Sequence, residues 1–448
     1  MLCRPRRPAV PSLLALGLSL AAAGASAQTL AELYSAARVY DASFLAAQSL
    51  VLAADARTLQ AESARKASAT ADASASRTEA DLPGRSLTGT TGAGVSLNGR
   101  YPLYNRGTQV DINRAGKAVE VSRSDVESAE QDLIVRLAQA YFDVLAAQDA
   151  LATTQASKKA ITEQLASAKR NFEVGTATIT DTREAQARFD LATAQEIAAD
   201  NDLRTKRIAL DQLVGRTGVA PRALAVPVVL PAISPAQPDE WVSLADQGHP
   251  QVRKARLALE IAGLDVAKSK TAYAPVVNAT GSVGSSYTPS TPGIPGIQAG
   301  TPSGLGVTAR IGVDLSMPLY TGGRLQAVEK EVLALEEKAR SDVEAARRAV
   351  AQGTRVAFFG VQSGMAQVKA LEAAESSSKL ALEATQLGYR VGVRVNLDVL
   401  NAQSQLYTTQ RDLAKARYDV LVNGLKLRQA SGQLRASDLQ SVDALLAK

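Results

Sequence analysis

The 448 residues carry 50 Lys and Arg against 44 Asp and Glu, a formal net charge of +6, with 4% aromatic residues, one Trp, one His and one Cys. So mild a positive balance does not mark a nucleic-acid binder, and the lone His249 has no second His or Cys to complete a metal site or a triad. Abundant alanine and few bulky side chains argue against two or three ordinary compact domains and for long helices packed through small residues.

Residues 1–27 read as a secretory signal. Arg4, Arg6 and Arg7 form its basic region, residues 13–23 its apolar run, and Ala25, Ser26 and Ala27 a small-residue cleavage site before Gln28. The apolar run is too short for a transmembrane helix, and no later stretch approaches 18 apolar residues. Cys3 lies ahead of that run, so the mature chain has neither disulfides nor thiol ligands, and a net charge of about +3.

Residues 30–66 have helical spacing without proline. From Ala67 to Ala75 the period becomes two, with alanine at every odd position and Ser68, Thr70, Asp72 and Ser74 between. That predicts a strand over about 67–78 with two unlike faces. Asp81, Leu82, Pro83 and Gly84 signal a turn. A second strand over about 90–103 puts Ala93, Val95, Leu97, Tyr101 and Leu103 on one face and Gly94, Ser96, Asn98 and Arg100 on the other.

A proline-free tract then predicts a long helix over 106–171. Val126, Ala129, Leu133, Leu137, Ala140, Val144, Ala147 and Leu151 form a coiled-coil seam along it. A turn at Gly175 precedes a helix over 180–214, and five prolines make 221–238 an extended linker.

The order then recurs. Residues 239–270 are helical, interrupted at Gly248, His249 and Pro250, where His249 reads as a turn residue. Strands follow at about 273–287 and 305–320, separated by a Pro/Gly-rich loop over 288–304. In the second strand Leu305, Val307, Ala309, Ile311, Val313, Leu315, Met317 and Leu319 alternate with polar positions that include Thr308, Arg310 and Asp314. Arg310 and Asp314 are expected to line a lumen or answer each other. A long helix over 323–388 carries a second seam from Leu325 to Val350, a turn at Gly392 follows, and a helix over 397–432 leaves 433–448 as a C-terminal tail.

The chain is therefore one unit written twice, 28–220 and 239–432. Phe172, Val174, Gly175 and Asp181 match Tyr389, Val391, Gly392 and Asp398 at an offset of 217. Tyr101, Pro102, Leu103 and Tyr104 stand opposite Met317, Pro318, Leu319 and Tyr320 at an offset of 216. Gly175 and Gly392 supply the positive φ that ends a helix. Four strands cannot close a barrel and would leave open edges. Strands apolar on one face and polar on the other suit an outer-membrane barrel, and three chains would supply twelve. Tyr101, Tyr104, Tyr273, Tyr287 and Tyr320 lie near strand ends, where interfacial aromatics belong. A water-soluble sandwich would explain the strands but not the hairpins.

On these duplicated strand–strand–helix units, the paired Pro-Leu-Tyr junctions and the paired Val-Gly turns, essentially the whole mature chain resembles the TolC family of outer-membrane export channels. A proline at the first helix-to-strand junction, where the second repeat has Pro275, is missing, which leaves the boundary near residue 67 less sharply marked. The resemblance implies an α+β membrane protein, a homotrimer with a twelve-stranded barrel among outer-membrane lipid and a long helical coiled-coil tunnel in the periplasm. It implies an iris at the tunnel's inner end, opened by a periplasmic adaptor and an inner-membrane ABC transporter or proton-driven pump, with no enzyme activity and no cofactor.

The resemblance also places Arg394 and Tyr389 at the family's constriction, with Gln164, Thr180 and Asp181 as their partners on the other hairpin. An Arg394–Asp181 bond would hold coils together at the closed tip. Asp181 also reads as part of a capping box with Glu184. Asp398 matches the first of two aspartates that ring the entrance, or serves as an N-cap. Asn401 stands where the second aspartate would be, so one carboxylate ring is kept and one lost. The substrate, protein by one-step secretion or small molecules by efflux, is left open, with a modest tilt to secretion. A structural or adhesive periplasmic coiled coil is the competing reading, and it predicts helices without a membrane barrel.

Overall fold

The computed structural model describes residues 28–80, 88–225, 227–288 and 304–447. The expected signal at 1–27, the turn at Asp81 to Gly84 and almost all of the 288–304 loop lie outside them. Among the described residues no helix is long and apolar enough to cross a membrane.

Four strands, β1 (Ser68–Ala80), β2 (Thr88–Tyr104), β3 (Val276–Thr288) and β4 (Gly304–Ser316), form one antiparallel sheet in the order β1-β2-β3-β4. The central β2–β3 pair joins the two halves of the chain, with Leu97 opposite Val283 and Arg100 opposite Thr280. β1 and β4 are the free edges. β4 is shorter than its alternation predicts: Met317, Leu319 and Tyr320 lie beyond it. Pro318 has no N–H to donate to a ladder, and its counterpart Pro102 coincides with a register shift in β2. β3 likewise begins at Val276, which leaves Tyr273 in the turn after the preceding helix.

Among the described residues eight longer helices and one short one carry the rest: α1 (Leu30–Tyr40), α2 (Ala42–Ser63), α3 (Arg106–Glu173), α4 (Ile179–Val214), α5 (Pro238–Gly248), α6 (Pro250–Thr271), α7 (Arg324–Arg390), α8 (Asn396–Ala430) and α9 (Ser437–Asp443). At 1.5 Å per residue α3 and α7 each reach roughly 100 Å. α3 is flanked by α2 and α6 in the half next to the sheet and by α4 and α8 in the half next to the turns, and α7 lies beyond α6 and α8. The result is a single layer of helices continuing the sheet, with α7 at the β4 edge and α2 and α4 at the β1 edge.

Residues 30–66 do not form one helix. Asp41 interrupts them, with its carboxylate accepting the Phe44 N–H at 2.8 Å and meeting the Arg136 guanidinium of α3 at 3.1 Å. Capping α2 and pairing a nearly buried carboxylate offset the lost helical bond. Ala42 onward therefore starts afresh. Between α3 and α6 the seam is ionic: Asp111–Lys268, Arg114–Asp265, Lys117–Glu260 and Asp125–Lys254 pair at 2.6–2.9 Å. Each is partly exposed, so solvent screening leaves it little net contribution to stability.

The apolar core sits midway along the long helices, where α1 and α9 pack on α3, α4 and α8 through Leu33, Leu137, Tyr141, Leu210, Leu425 and Leu439. Of the expected α3 seam, Leu133, Leu137, Val144 and Ala147 are buried there. The tail is not loose. Asp443 at the end of α9 accepts the Leu30 and Ala31 N–H groups at 2.8 and 3.0 Å, which fills the open N-terminus of α1. Leu446 bridges to Leu224 of the linker. The linker is also anchored by Trp241, whose Nε1–H donates to the Pro235 carbonyl at 2.8 Å.

Candidate functional site

Two features of the chain are built to meet something other than itself: the bare face of the sheet and the paired turns at the far end of the helices. On β4 the residues Leu305, Val307, Ile311, Val313 and Leu315 are all exposed, Ile311 to 93%. Val95, Leu97, Val283 and Tyr287 extend the same face over β2 and β3. Among the described residues no element covers it. A continuous apolar face of this kind belongs against lipid, since water would penalise every one of these side chains. The opposite face is polar. Asn98 Nδ2 donates to Asp72 at 2.7 Å and the Thr280 hydroxyl to Asp314 at 2.8 Å. Asp314 is thus answered by Thr280, and among the described residues no Arg310–Asp314 ion pair forms. Arg310 projects from the same polar row, opposite Ser282.

At the other end, about 100 Å away along the long helices, both turns close in the same way. Gly175 and Gly392 have φ of 78° and 80°, which a side chain would strain. The Asn171 carbonyl accepts the Thr176 and Ala177 N–H groups, and the Gly388 carbonyl accepts those of Val393 and Arg394. Such bonds satisfy the last carbonyls of α3 and α7.

The helices that leave the turns begin differently. Thr178 caps α4, its hydroxyl accepting the Asp181 N–H while the Asp181 carboxylate accepts the Thr178 N–H at 2.9 Å. The capping box is therefore Thr178 with Asp181, three residues earlier than Asp181 with Glu184. Thr180 joins it through its hydroxyl, 2.8 Å from that of Thr178. α8 has Val395 at the capping position and no side-chain cap, so Asp398 is a first-turn carboxylate and not the N-cap.

The sequence expectation of an Arg394–Asp181 bond is not met within the chain. Arg394 pairs with Asp398 one turn along, at 3.6 Å, with the guanidinium side chain 62% exposed. Asp181 is held by its own cap, and Asp398, in the first turn of α8 just after the arginine, takes Arg394 instead. Tyr389 does reach the other hairpin, where its hydroxyl accepts Asn171 Nδ2–H at 3.3 Å. Gln164 also crosses, but its Nε2–H donates to Asn396 Oδ1. Asn401 accepts Arg188 NH2 at 2.9 Å, so a basic group of α4 lies where the resemblance would have a second carboxylate.

Asn171, Thr178, Arg188 and Asn396 escaped the sequence reading. A signal existed for Asn396. It falls on Ile179 at the repeat offset, a polar amide where the first unit has an apolar side chain. His249 caps α6 through Nδ1, which accepts the Gln251 N–H at 3.1 Å, and burial holds its pKa below the usual histidine value. Among the described residues no cluster could hold a metal ion.

A family model described as outer membrane efflux protein matches residues 33–216 and 241–433. The chain belongs to this family. Those two segments follow the two halves of the fold. The chain is 32% identical over 352 residues to Outer membrane protein TolC of Vibrio cholerae, covering 78% of this chain and 79% of that protein. It is 33% identical over 353 residues to Alkaline protease secretion protein AprF of Pseudomonas aeruginosa, covering 78% and 71%. Solved structures share the fold: VceC of Vibrio cholerae at a TM-score of 0.73 and 18% identity, covering 90% of this chain and 96% of that one, and CusC at 0.74 and 19%, covering 96% and 98%. The protein is thus an outer-membrane channel of the TolC type. Its exposed apolar sheet face is the lipid-facing part of a barrel, and its helices are the wall of the tunnel. The family is one of transport channels, so the reading as a purely structural or adhesive coiled coil falls away.

Proposed function

We propose that three chains close into one conduit, a twelve-stranded barrel above a tunnel of helices, shut at rest by the two turns. The observation that carries this is the agreement of the edges. β1 and β4 are unpaired on the same two sides where α2 with α4, and α7, leave apolar side chains exposed. Leu335, Val356, Phe359 and Leu380 on α7 are all exposed, as are Leu50, Leu52, Ile197 and Ile208 on α2 and α4. Three-fold closure pairs the strand edges and buries both helical edges at once.

The conduit is passive. A periplasmic adaptor and an inner-membrane ABC transporter or proton-driven pump open its tip and drive the substrate. AprF is named for protease secretion, and similarity to it at 33% identity favours protein export over efflux of small molecules.

At the tip, Tyr389, Arg394, Gln164, Thr180 and Asp181 form the constriction. Arg394 is exposed and weakly held by Asp398, which leaves it available to the neighbouring chain in the closed ring. The test is single-channel conductance in planar bilayers. Arg394→Ser with Tyr389→Phe should conduct several-fold more than the wild type with the trimer intact. Wild-type conductance in the double variant would place the gate elsewhere.

A further inference from the structure

We propose that the latch between the two hairpins of one chain is the Asn396 side-chain amide, a link without charge that is separate from the exposed Arg394 and Asp398. The inference rests on the gate reading above and adds a residue to it.

Asn396 is the first residue of α8 and is 1% exposed, although it lies at the tip among polar, accessible groups. Its Oδ1 accepts the Gln164 Nε2–H of α3, and its Nδ2–H donates to the backbone carbonyl of Asp181 in α4 at 3.4 Å. Both halves of one amide are therefore spent on the opposite hairpin. A buried amide with both partners satisfied is favourable, and the same amide left unpaired is unfavourable. Separation of α8 from α3 and α4 breaks both bonds together, so the closed and open arrangements differ by a discrete step.

Among the described residues Arg394 makes no such bridge, since its carboxylate partner is Asp398, four residues on in its own hairpin. The capping role that asparagine often plays is also not filled here, because Val395 is the N-cap and Asn396 has already entered the helix. One turn further on, Leu400 seats against Ile161, Leu165 and Ala185 of the same two helices and keeps the seam registered while the amide engages.

The two sets of bonds respond differently to salt. Raising KCl from about 0.1 M to about 1 M shortens the Debye length from ~10 Å to ~3 Å. Exposed charge contacts weaken, and a buried amide pair does not.

The experiment compares Asn396→Ala, Asn396→Asp, Gln164→Leu and the Arg394→Ser/Tyr389→Phe pair. It uses bilayer conductance at both salt concentrations together with hydrogen exchange of the α8 amides in the trimer. Loss of one such bond changes the open-to-closed ratio about five-fold per chain. Asn396→Ala and Gln164→Leu should each raise conductance equally at low and high salt and speed exchange over 396–400, and combining them should add little. The Arg394/Tyr389 pair should lose much of its excess conductance at high salt. Asn396→Asp removes the donating amide yet places a carboxylate at a helix N-terminus, which stabilises α8. It should still open the channel, which separates a latch from a helix-starting role. Wild-type conductance and exchange in Asn396→Ala, while the Arg394/Tyr389 pair opens, would overturn the proposal. If no variant conducts more, the gate reading fails. Faster exchange over 396–400 would then still support the amide link, and unchanged exchange would overturn it.

Discussion

Val313 and Thr308 lie on opposite faces of the same strand, and their difference carries the membrane argument at the residue scale. Val313 is exposed on the apolar face, and Thr308 is on the row that holds Arg310. Val313→Arg should impair insertion by ~2–4 kcal/mol if it sits near the bilayer midplane, and Thr308→Arg should assemble normally. The yield of membrane-inserted protein measures both, and equal effects would mean that the faces have been assigned wrongly. At the tip the same scale applies to Asp398 and Asn401. In the proposed closed tip Asp398 supplies the one carboxylate ring, and Arg188 reaches Asn401. Block by multivalent cations should be weak in the wild type and weaker still in Asp398→Ala. Undiminished block in that variant would show that Asp398 does not line the entrance.

At the scale of elements, the break at Asp41 illustrates what a sequence hides. Residues 30–66 have unbroken helical spacing, and the group that interrupts them, Arg136, is 95 residues away. Burial pushes the Asp41 carboxyl up, but hydrogen bonds from Arg136, Ser43 and the Phe44 N–H outweigh it and hold the pKa at about 2. The folded value is depressed from 3.8, so the pair stabilises fully above about pH 4 and the contribution fades as pH falls toward 2. The shift corresponds to about 1–2 kcal/mol once partial exposure of Arg136 is allowed for. Asn keeps the cap but not the charge. Asp41→Asn should therefore lower the thermal midpoint near pH 7, with the two proteins converging between pH 4 and pH 2. A difference that persists unchanged at pH 2 would contradict the ion pair as its cause. What was legible at this scale was periodic. The 3–4 spacing from Leu133 to Ala147 reflects burial that repeats along a helix, and the alternation from Leu305 to Leu315 a strand with one apolar and one polar face. Features set by a single distant contact were not legible. They include the seven-residue α9, whose reason for being is Asp443 on the N-terminus of α1, and the partner of Arg394, decided by which carboxylate lies nearer in three dimensions.

At the scale of the whole molecule, one chain is a layer with two open sides. Its sheet has a lipid-facing side and a polar side but two open edges, and its helical layer has two apolar margins that fall on the same sides as those edges. An edge left open in a membrane carries unpaired backbone groups with no water to satisfy them, so the proposed closure is a requirement of the bilayer as much as of the fold. Cross-linking tests it most directly. In a Cys3→Ser background, cysteine pairs placed along β1 and β4, beginning with Ala73→Cys and Ala309→Cys, are treated with a bismaleimide in intact outer membranes. The account predicts bands of one, two and three chains and nothing larger, because a closed ring of three has no further edge. Monomer alone along the whole scan, or a ladder that runs past three, would contradict it.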